Sequence, residues 1–279
     1  MGQVGYLFND YYKDITATDI AVVNDVGADK EDANYPIENS QNEQVALRTW
    51  SDDKTNIKVR FDINSASSGT KELKAFGIFN HNFSGGSVKI YSYTANDYAT
   101  GQTLEATVTV RAKDMFTRIS SPSDRRYWEI DISHNGSATS DDSAYKWGRI
   151  MCYTDIVVIT DVEDYIKQRG YGYKNIINVT KHGIRAGVHK LMEDRERFEL
   201  GWNQRTAANA IHTEMRTLYD SVYGDAHPFM FIPDITSTGC YYVYIQDPEL
   251  LYQEIFGTGS TAHAGGVHLR LTEAVRNKA

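Results

Sequence analysis

Asn56-Ile57-Lys58-Val59-Arg60-Phe61-Asp62-Ile63 alternates without a break between polar and apolar side chains. Successive side chains of a strand point to opposite faces. This spacing therefore puts Ile57, Val59, Phe61 and Ile63 on one face and Lys58, Arg60 and Asp62 on the other, as a strand with one buried face requires. Working outward, Ala75-Phe76-Gly77-Ile78-Phe79 and Ser87-Val88-Lys89-Ile90-Tyr91 read as two more strands, divided by the turn Asn80-His81-Asn82-Phe83-Ser84-Gly85-Gly86. Residues 104–111 and 127–132 alternate in the same way, and 146–153 and 155–160 complete the series. So many short strands with regular turn signals predict a jelly-roll β-sandwich over residues 1–160.

Composition agrees. The chain has 19 Tyr, 10 Phe and 21 Gly against 5 Pro, a mix that favours pleated sheet joined by glycine turns. Its 279 residues, 41% of them hydrophobic, suffice for a sizeable core and, at this length, for two domains. Residues 161–175 are charged and then glycine-broken at Gly170-Tyr171-Gly172-Tyr173, which marks them as the linker. In the second domain, 176–279, residues 176–189 and 195–202 look like paired strands. Ile211, Met215, Leu218 and Val222 then recur at helical spacing, with Gly224 as the stop, and Phe229-Met230-Phe231-Ile232, 240–245 and 267–271 follow as strands. The expected class is mainly β, an N-terminal jelly-roll β-sandwich plus a C-terminal β-rich α+β domain with one main helix.

Charge narrows the partners. The formal net charge is −8 and Lys and Arg are scattered singly, so no continuous basic track is expected for nucleic acid. No stretch reaches the roughly 18 uninterrupted apolar residues of a membrane helix, and residues 1–13 lack a basic region followed by an apolar one, so no membrane partner and synthesis in the cytoplasm are expected. Tyr6 stands where a myristoylation motif has Ser or Thr, and the sequons at Asn82, Asn135 and Asn178 carry no weight without a secretion signal. Cys152 and Cys240 have no second Cys or His at metal spacing, which predicts buried free thiols.

The sequence offers no handle for acyl, phosphoryl or hydride transfer, neither a Gly-x-Ser-x-Gly elbow nor a glycine-rich phosphate loop, and the expectation is a protein that is not an enzyme. His212 with Glu214 is a single pair and not the spacing that sets two metal ligands on one helix face, and His263 and His268 read as loop and strand residues. Asp25, Asp29 and Asp32, and Ser140-Asp141-Asp142-Ser143, read as solvated turns. A Ca2+ site on the sandwich is the alternative, although they lack the spaced ligands of an EF-hand. Binding of a sugar is the remaining chemistry, because a sugar stacks its apolar face on an aromatic ring while polar side chains take its hydroxyls. Trp50, His81, Tyr93 and Tyr98 lie in or beside turns and are the candidate glycan contacts, Trp50 having the alternative role of plugging the bottom of the sandwich.

Tyr35-Pro36-Ile37-Glu38-Asn39 and then Arg48-Thr49-Trp50-Ser51 resemble the opening of the galactose-binding-like (discoidin-type) domains found in phage virion proteins. Phe76-Gly77-Ile78-Phe79-Asn80-His81-Asn82 resembles their central strand and turn. Tyr127-Trp128-Glu129-Ile130-Asp131-Ile132, followed by Lys146-Trp147-Gly148-Arg149-Ile150-Met151, resembles their final paired strands. The resemblance spans residues 15–155 and implies an eight-stranded jelly roll. Members often bind glycans or calcium through loops at one end, but no obligatory ligand residue transfers to this sequence.

The second half resembles the tail-ring domain of phage distal tail proteins, including those of gene-transfer agents. Arg195-Glu196-Arg197-Phe198-Glu199-Leu200-Gly201-Trp202, a helix over 206–223, and Gly224 leading through Pro228-Phe229-Met230-Phe231 carry the likeness. Several distal tail proteins place the ring domain first, the reverse of the order here. The resemblance implies a homo-oligomer forming a hexameric ring in the virion tail. The expected role is a structural subunit of a phage tail tip, baseplate or adaptor, with tail-tube, hub or fibre proteins as partners and no organic cofactor. The alternative is a host-glycan-binding module displayed on the virion.

Overall fold

The structure is a computed structural model describing residues 3–7, 10–42, 47–66, 69–110, 114–159, 165–169, 172–179, 185–193, 197–202, 211–222, 227–236, 240–246, 255–256, 263–264 and 267–273. The chain is mainly β and divides into two units, Asn9–Ile156 and a second that joins Met1–Phe8 to Val157–Lys278.

The Asn9–Ile156 unit is a β-sandwich. A five-stranded antiparallel sheet runs in the order Ile20–Val23, Lys58–Asp62, Tyr127–Asp131, Ser87–Tyr93, Thr103–Thr109, and a three-stranded sheet in the order Met115–Arg118, Ala75–Phe79, Arg149–Tyr153. These two sheets hold eight strands, the number the resemblance implies for the jelly roll, and six shorter strands of the same unit pair beside them. Ile57, Val59, Phe61 and Ile63 are all buried in one cluster with Val22, Ile90, Trp128 and Ile130 from the same sheet and Phe76, Ile78, Met115 and Ile150 from the other. Trp147 and Trp128 fill the interior, and Trp50 lies outside it, so the plug of the sandwich is not Trp50.

The opposite face of the five-stranded sheet departs from the solvated surface that alternation alone suggests. Glu129 is 0% exposed. Its carboxylate accepts from Arg60 Nε at 2.7 Å and from the Tyr93 hydroxyl at 2.9 Å, and Lys58 Nζ stands 3.5 Å away. Register explains the convergence, because Glu129 is opposite Arg60 on one side and Tyr91 on the other. A buried charge is tolerated only where donors meet it, and these three do so. Asp131, two residues on and also buried, accepts the backbone N–H groups of His134, Asn135 and Gly136 and thereby closes the following turn.

A second buried pair fixes the entry of the chain. Asp10 accepts from Arg149 Nη2 at 3.0 Å and from the backbone N–H groups of Tyr12 and Cys152, tying the first residues of the unit to the Arg149–Tyr153 strand. Cys152 is a buried free thiol as expected, whereas the free Cys240 is only partly buried.

In the second unit a seven-stranded sheet runs Val157–Val158, Gly5–Leu7, Phe229–Ile232, Tyr241–Ile245, Val267–Glu273, Arg197–Trp202, Tyr165–Arg169. The helix Ile211–Ser221 lays Ile211, Met215 and Leu218, with Val222 beyond its end, on the sheet face made by Phe198, Leu200, Trp202, Phe231 and Leu271. Residues 206–210 and 223 of the expected helix, and its expected stop at Gly224, lie outside the described residues.

The division differs from the expected 1–160, 161–175 and 176–279. Gly5–Leu7 pairs with Phe229–Ile232, and Tyr165–Arg169, inside the expected linker, is an edge strand against Arg197–Trp202. Nor does Arg197–Trp202 pair with 176–189. Its other neighbour is Val267–Glu273, while Gly172–Val179 and Arg185–Glu193 form a hairpin with each other. A three-residue strand is too short to show alternation, and partners distant in sequence are chosen by packing that no local pattern encodes.

Two stability outcomes follow. Asp10→Ala leaves the Arg149 guanidinium buried without its carboxylate and should cost about 3–5 kcal/mol in urea denaturation, a loss below about 1 kcal/mol contradicting the clamp. Leu218→Ala should cost about 2–5 kcal/mol, while Arg216→Ala on the exposed side of the same helix stays within about 0.5 kcal/mol; equal losses would remove the helix face from the core.

Candidate functional site

The candidate contacts fall into two groups. His81 follows the strand Ala75–Phe79 and precedes Ser87–Tyr93, whereas Tyr93 and Tyr98 lie at the far end of the latter strand. Seven strand residues span about 20 Å, so the sandwich holds these groups at opposite ends.

At the Tyr93 end the rings are structural. Tyr93 is buried, its hydroxyl donating to Glu129 and accepting from Gln102 Nε2 at 2.8 Å. Tyr98 sits at φ +50, in the left-handed region that bulky residues avoid, and its ring meets Tyr93 edge-on at 5.5 Å with the Arg60 guanidinium 4.8 Å from its centre. Burial raises the pKa of both phenols. These rings cover the Glu129 ion cluster, and a sugar would have to displace them to reach it.

At the other end the short strand Thr49–Trp50 pairs with Lys146–Trp147. The loop that precedes it is tied to the Trp50 backbone at both ends, since Trp50 N–H donates to the Tyr35 carbonyl and Asp32 N–H donates to the Trp50 carbonyl. Tyr35 is thereby laid flat on the indole, ring centres 3.7 Å apart at 11°. Lys146 Nζ lies 4.1 Å from the indole centre, and because a ring stacked that closely leaves no room for an ammonium on its own side, both faces of Trp50 are covered. The stacking face thus passes from Trp50 to Tyr35, which is 37% exposed.

Polar groups surround this stack. Asn82 is a pin: its N–H donates to the Lys146 carbonyl, its Oδ1 accepts from Lys146 N–H, and its Nδ2 donates to Asp142 Oδ2 and the Ala144 carbonyl. Lys146 Nζ pairs with Asp142 at 3.0 Å, and the Asn82 amide and this ammonium hold the Asp142 carboxyl below its ordinary range. Arg48 Nη2 donates to Asn80 Oδ1, and among the described residues its guanidinium has no carboxylate partner. Gly86 closes the turn at φ +82, where an added Cβ would come within 1.8 Å of the Ser137 carbonyl oxygen.

His81 is 8% exposed and stacks on Phe83 at 4.7 Å. Its Nδ1 accepts the Phe83 N–H, which leaves Nε2 as the donor, and among the described residues that atom has no partner. It braces the loop from beneath. Of the four sequence candidates, then, Trp50 and His81 support one surface from within and Tyr93 and Tyr98 belong elsewhere. Tyr35, Arg48, Asp142 and Lys146 form the accessible part, and only the Thr49–Trp50 to Lys146–Trp147 pairing reveals it.

Of the candidate calcium residues, Asp142 pairs with Lys146 and Ser140 Oγ accepts the Asp142 N–H. Asp29 and Asp32 accept backbone N–H groups two residues on, and Asp25 faces His134 at 3.7 Å. Among the described residues no group of three or more His, Cys, Asp and Glu side chains is placed to hold a metal ion.

Burial, reinforced by Arg48, drives the pKa of His81 down to about 4. The unfolded chain, titrating near 6.5, binds more protons between these values, so this residue's contribution to stability is intact above about pH 6.5 and falls as the pH drops towards 4. His81 should keep the NMR signature of a neutral imidazole at pH 5.5, and half-protonation near pH 6.5 would contradict its burial.

No protein-family model and no curated protein matches the chain. Solved structures do. Chitosan-binding module 1 of a chitosanase/glucanase from Paenibacillus sp. IK-5 is 10% identical with a TM-score of 0.39, over 52% of this chain and 98% of that one. The family 32 CBM of C. perfringens NanJ, solved with galactose, is 9% identical with a TM-score of 0.37, over 54% and 98%. CBM32-1 of a family 31 glycoside hydrolase from Clostridium perfringens is 13% identical with a TM-score of 0.37, over 52% and 99%.

Proposed function

We propose that the Asn9–Ile156 unit is a glycan-recognition module that acts by binding, without a catalytic step, through the surface around Tyr35, Arg48, Asp142 and Lys146. The observation that carries this reading is the rigid Tyr35–Trp50–Lys146 stack. It offers one outward aromatic ring, already immobilised, beside two cationic donors and a carboxylate acceptor. A sugar needs that combination, an apolar platform for its C–H face and fixed donors and acceptors for its hydroxyls. Rigidity matters because little side-chain entropy is left to lose on binding. The sequence resemblance over residues 15–155 supports the same reading.

A second reading concerns where the module works. In the resemblance to distal tail proteins, a strand, a helix and a strand follow in order, and Arg197–Trp202, Ile211–Ser221 and Phe229–Ile232 keep that order. This supports a tail-tip or baseplate subunit assembling as a ring with tail-tube, hub or fibre proteins, the sandwich being its glycan-facing part.

The test is a glycan array probed with the full chain, followed by calorimetry. A subset of glycans should bind, and Tyr35→Ala should weaken binding about tenfold or more, equivalent to about 1.4 kcal/mol. Tyr98→Ala, at the other end, should leave affinity unchanged. An array without any bound glycan, or affinity indifferent to Tyr35, would overturn the reading.

A further inference from the structure

The charges around Tyr35 do not cancel, and the remainder points to a class of sugar. Asp142 is already compensated, because Lys146 Nζ stands 3.0 Å from its carboxylate. The carboxylates of the Tyr35 loop serve its own backbone: Asp29 accepts the Glu31 N–H, Asp32 the Asn34 N–H, and Glu31 the Ile37 N–H. Glu38 is exposed on the helical turn that follows, and neither it nor any other described carboxylate pairs with Arg48. Arg48 is therefore the cation left over at this surface, and its side chain is partly exposed.

Arg48 is also held in place. Asn39 Nδ2 donates to its carbonyl at 2.9 Å, and its Nη2 donates to Asn80 Oδ1 at 2.5 Å. Asn80 sits at φ +53, a left-handed conformation that asparagine tolerates better than most residues, and its N–H donates to Asp114 Oδ1 at 2.9 Å. The backbone thus fixes the amide oxygen, and the oxygen fixes the guanidinium. Asn80 takes one N–H, which leaves one two-pronged edge of the guanidinium complete, and Nε and Nη1 have no acceptor among the described residues. The Asn82 amide, Lys146 and, more weakly, Arg48 hold the Asp142 carboxyl low, while burial and then Arg48 lower the His81 imidazole. Both residues are accordingly within electrostatic reach of Arg48, and His81, kept neutral, adds no charge of its own.

A carboxylate matches the guanidinium fork in plane and spacing, whereas a neutral hydroxyl engages only part of it. Building on the glycan reading given above, we infer that the sugar bound here is acidic, a uronic or sialic acid whose carboxylate docks on Arg48 while its ring lies on Tyr35. Asn80 is the positioning residue for that contact.

The test is calorimetry on the full chain with two matched pairs, oligogalacturonate against its methyl ester and sialyllactose against lactose. At least one acidic member should bind about tenfold or more tighter than its neutral partner. Arg48→Gln should bring that pair to within about threefold, and Arg48→Lys, which keeps the charge without the fork, should fall between. Asn80→Gly, which accepts the left-handed backbone and removes the amide oxygen behind Arg48, should cut the preference by about threefold or more. The ratio of the two affinities is the readout, because damage to the fold or to the Tyr35 platform weakens both members alike. Neutral members bound as tightly as acidic ones, an array that retains only neutral glycans, or a preference that survives Arg48→Gln would overturn the inference and leave glycan binding standing. An array blank for every glycan would instead remove the glycan reading, and this inference with it. If Arg48→Gln does not fold, Asn80→Gly decides, and an unchanged preference in that variant would reject anchoring by Arg48.

Discussion

A carboxylate without access to water must be met by donors, and Glu129 imposes that condition on the sandwich. Arg60, Lys58 and Tyr93 come from two neighbouring strands, and they reach Glu129 in one register only. A slip of one residue would turn Lys58 and Arg60 inward and Val59 and Phe61 outward, losing the ion cluster and the apolar core together. The ion layer and the core thus specify the same alignment from opposite faces. That alignment also decides where the Ser87–Tyr93 strand starts and ends, and hence where the turn holding His81 and Asn82 emerges.

The two ends of the sandwich put their aromatic residues to different use. At one end Tyr98, in a left-handed backbone conformation, is spent on sealing the ion cluster. At the other, Trp50 is enclosed between Tyr35 and Lys146 and serves as the backing of a surface that Tyr35 faces outward. Asn82 uses both its amide and its backbone to hold the Lys146 strand, so this end is positioned by hydrogen bonds between loops far apart in the chain. A surface so held is suited to recognition, since loops on a rigid scaffold carry binding groups without losing their geometry.

The sandwich was legible because its signal is local: the strict alternation over Ile57, Val59, Phe61 and Ile63 has one structural meaning, and all four are buried. The helix was legible for the same reason, its period of apolar residues reading out directly as Met215 and Leu218 against the sheet. What local pattern could not carry were pairings between distant segments. Gly5–Leu7 shows no period in three residues, and Tyr165–Arg169 looks like linker because an edge strand need not alternate cleanly. The candidate surface was half legible: aromatic residues near turns drew notice to Trp50 and His81, but the accessible members, Tyr35 and Lys146, are ordinary residues until the strand pairing places them on either side of one indole.

Indole N–H resonances test the central claim most directly, since the chain has four tryptophans and three of them, Trp128, Trp147 and Trp202, are enclosed in the two cores. The full chain would be titrated with the glycan that an array retains most strongly while the indole signals are followed by heteronuclear NMR. The account expects the Trp50 signal to shift saturably and the other three to stay. Saturable binding that leaves the Trp50 signal in place would contradict it, because the ligand would then be held somewhere other than the Tyr35–Trp50–Lys146 stack.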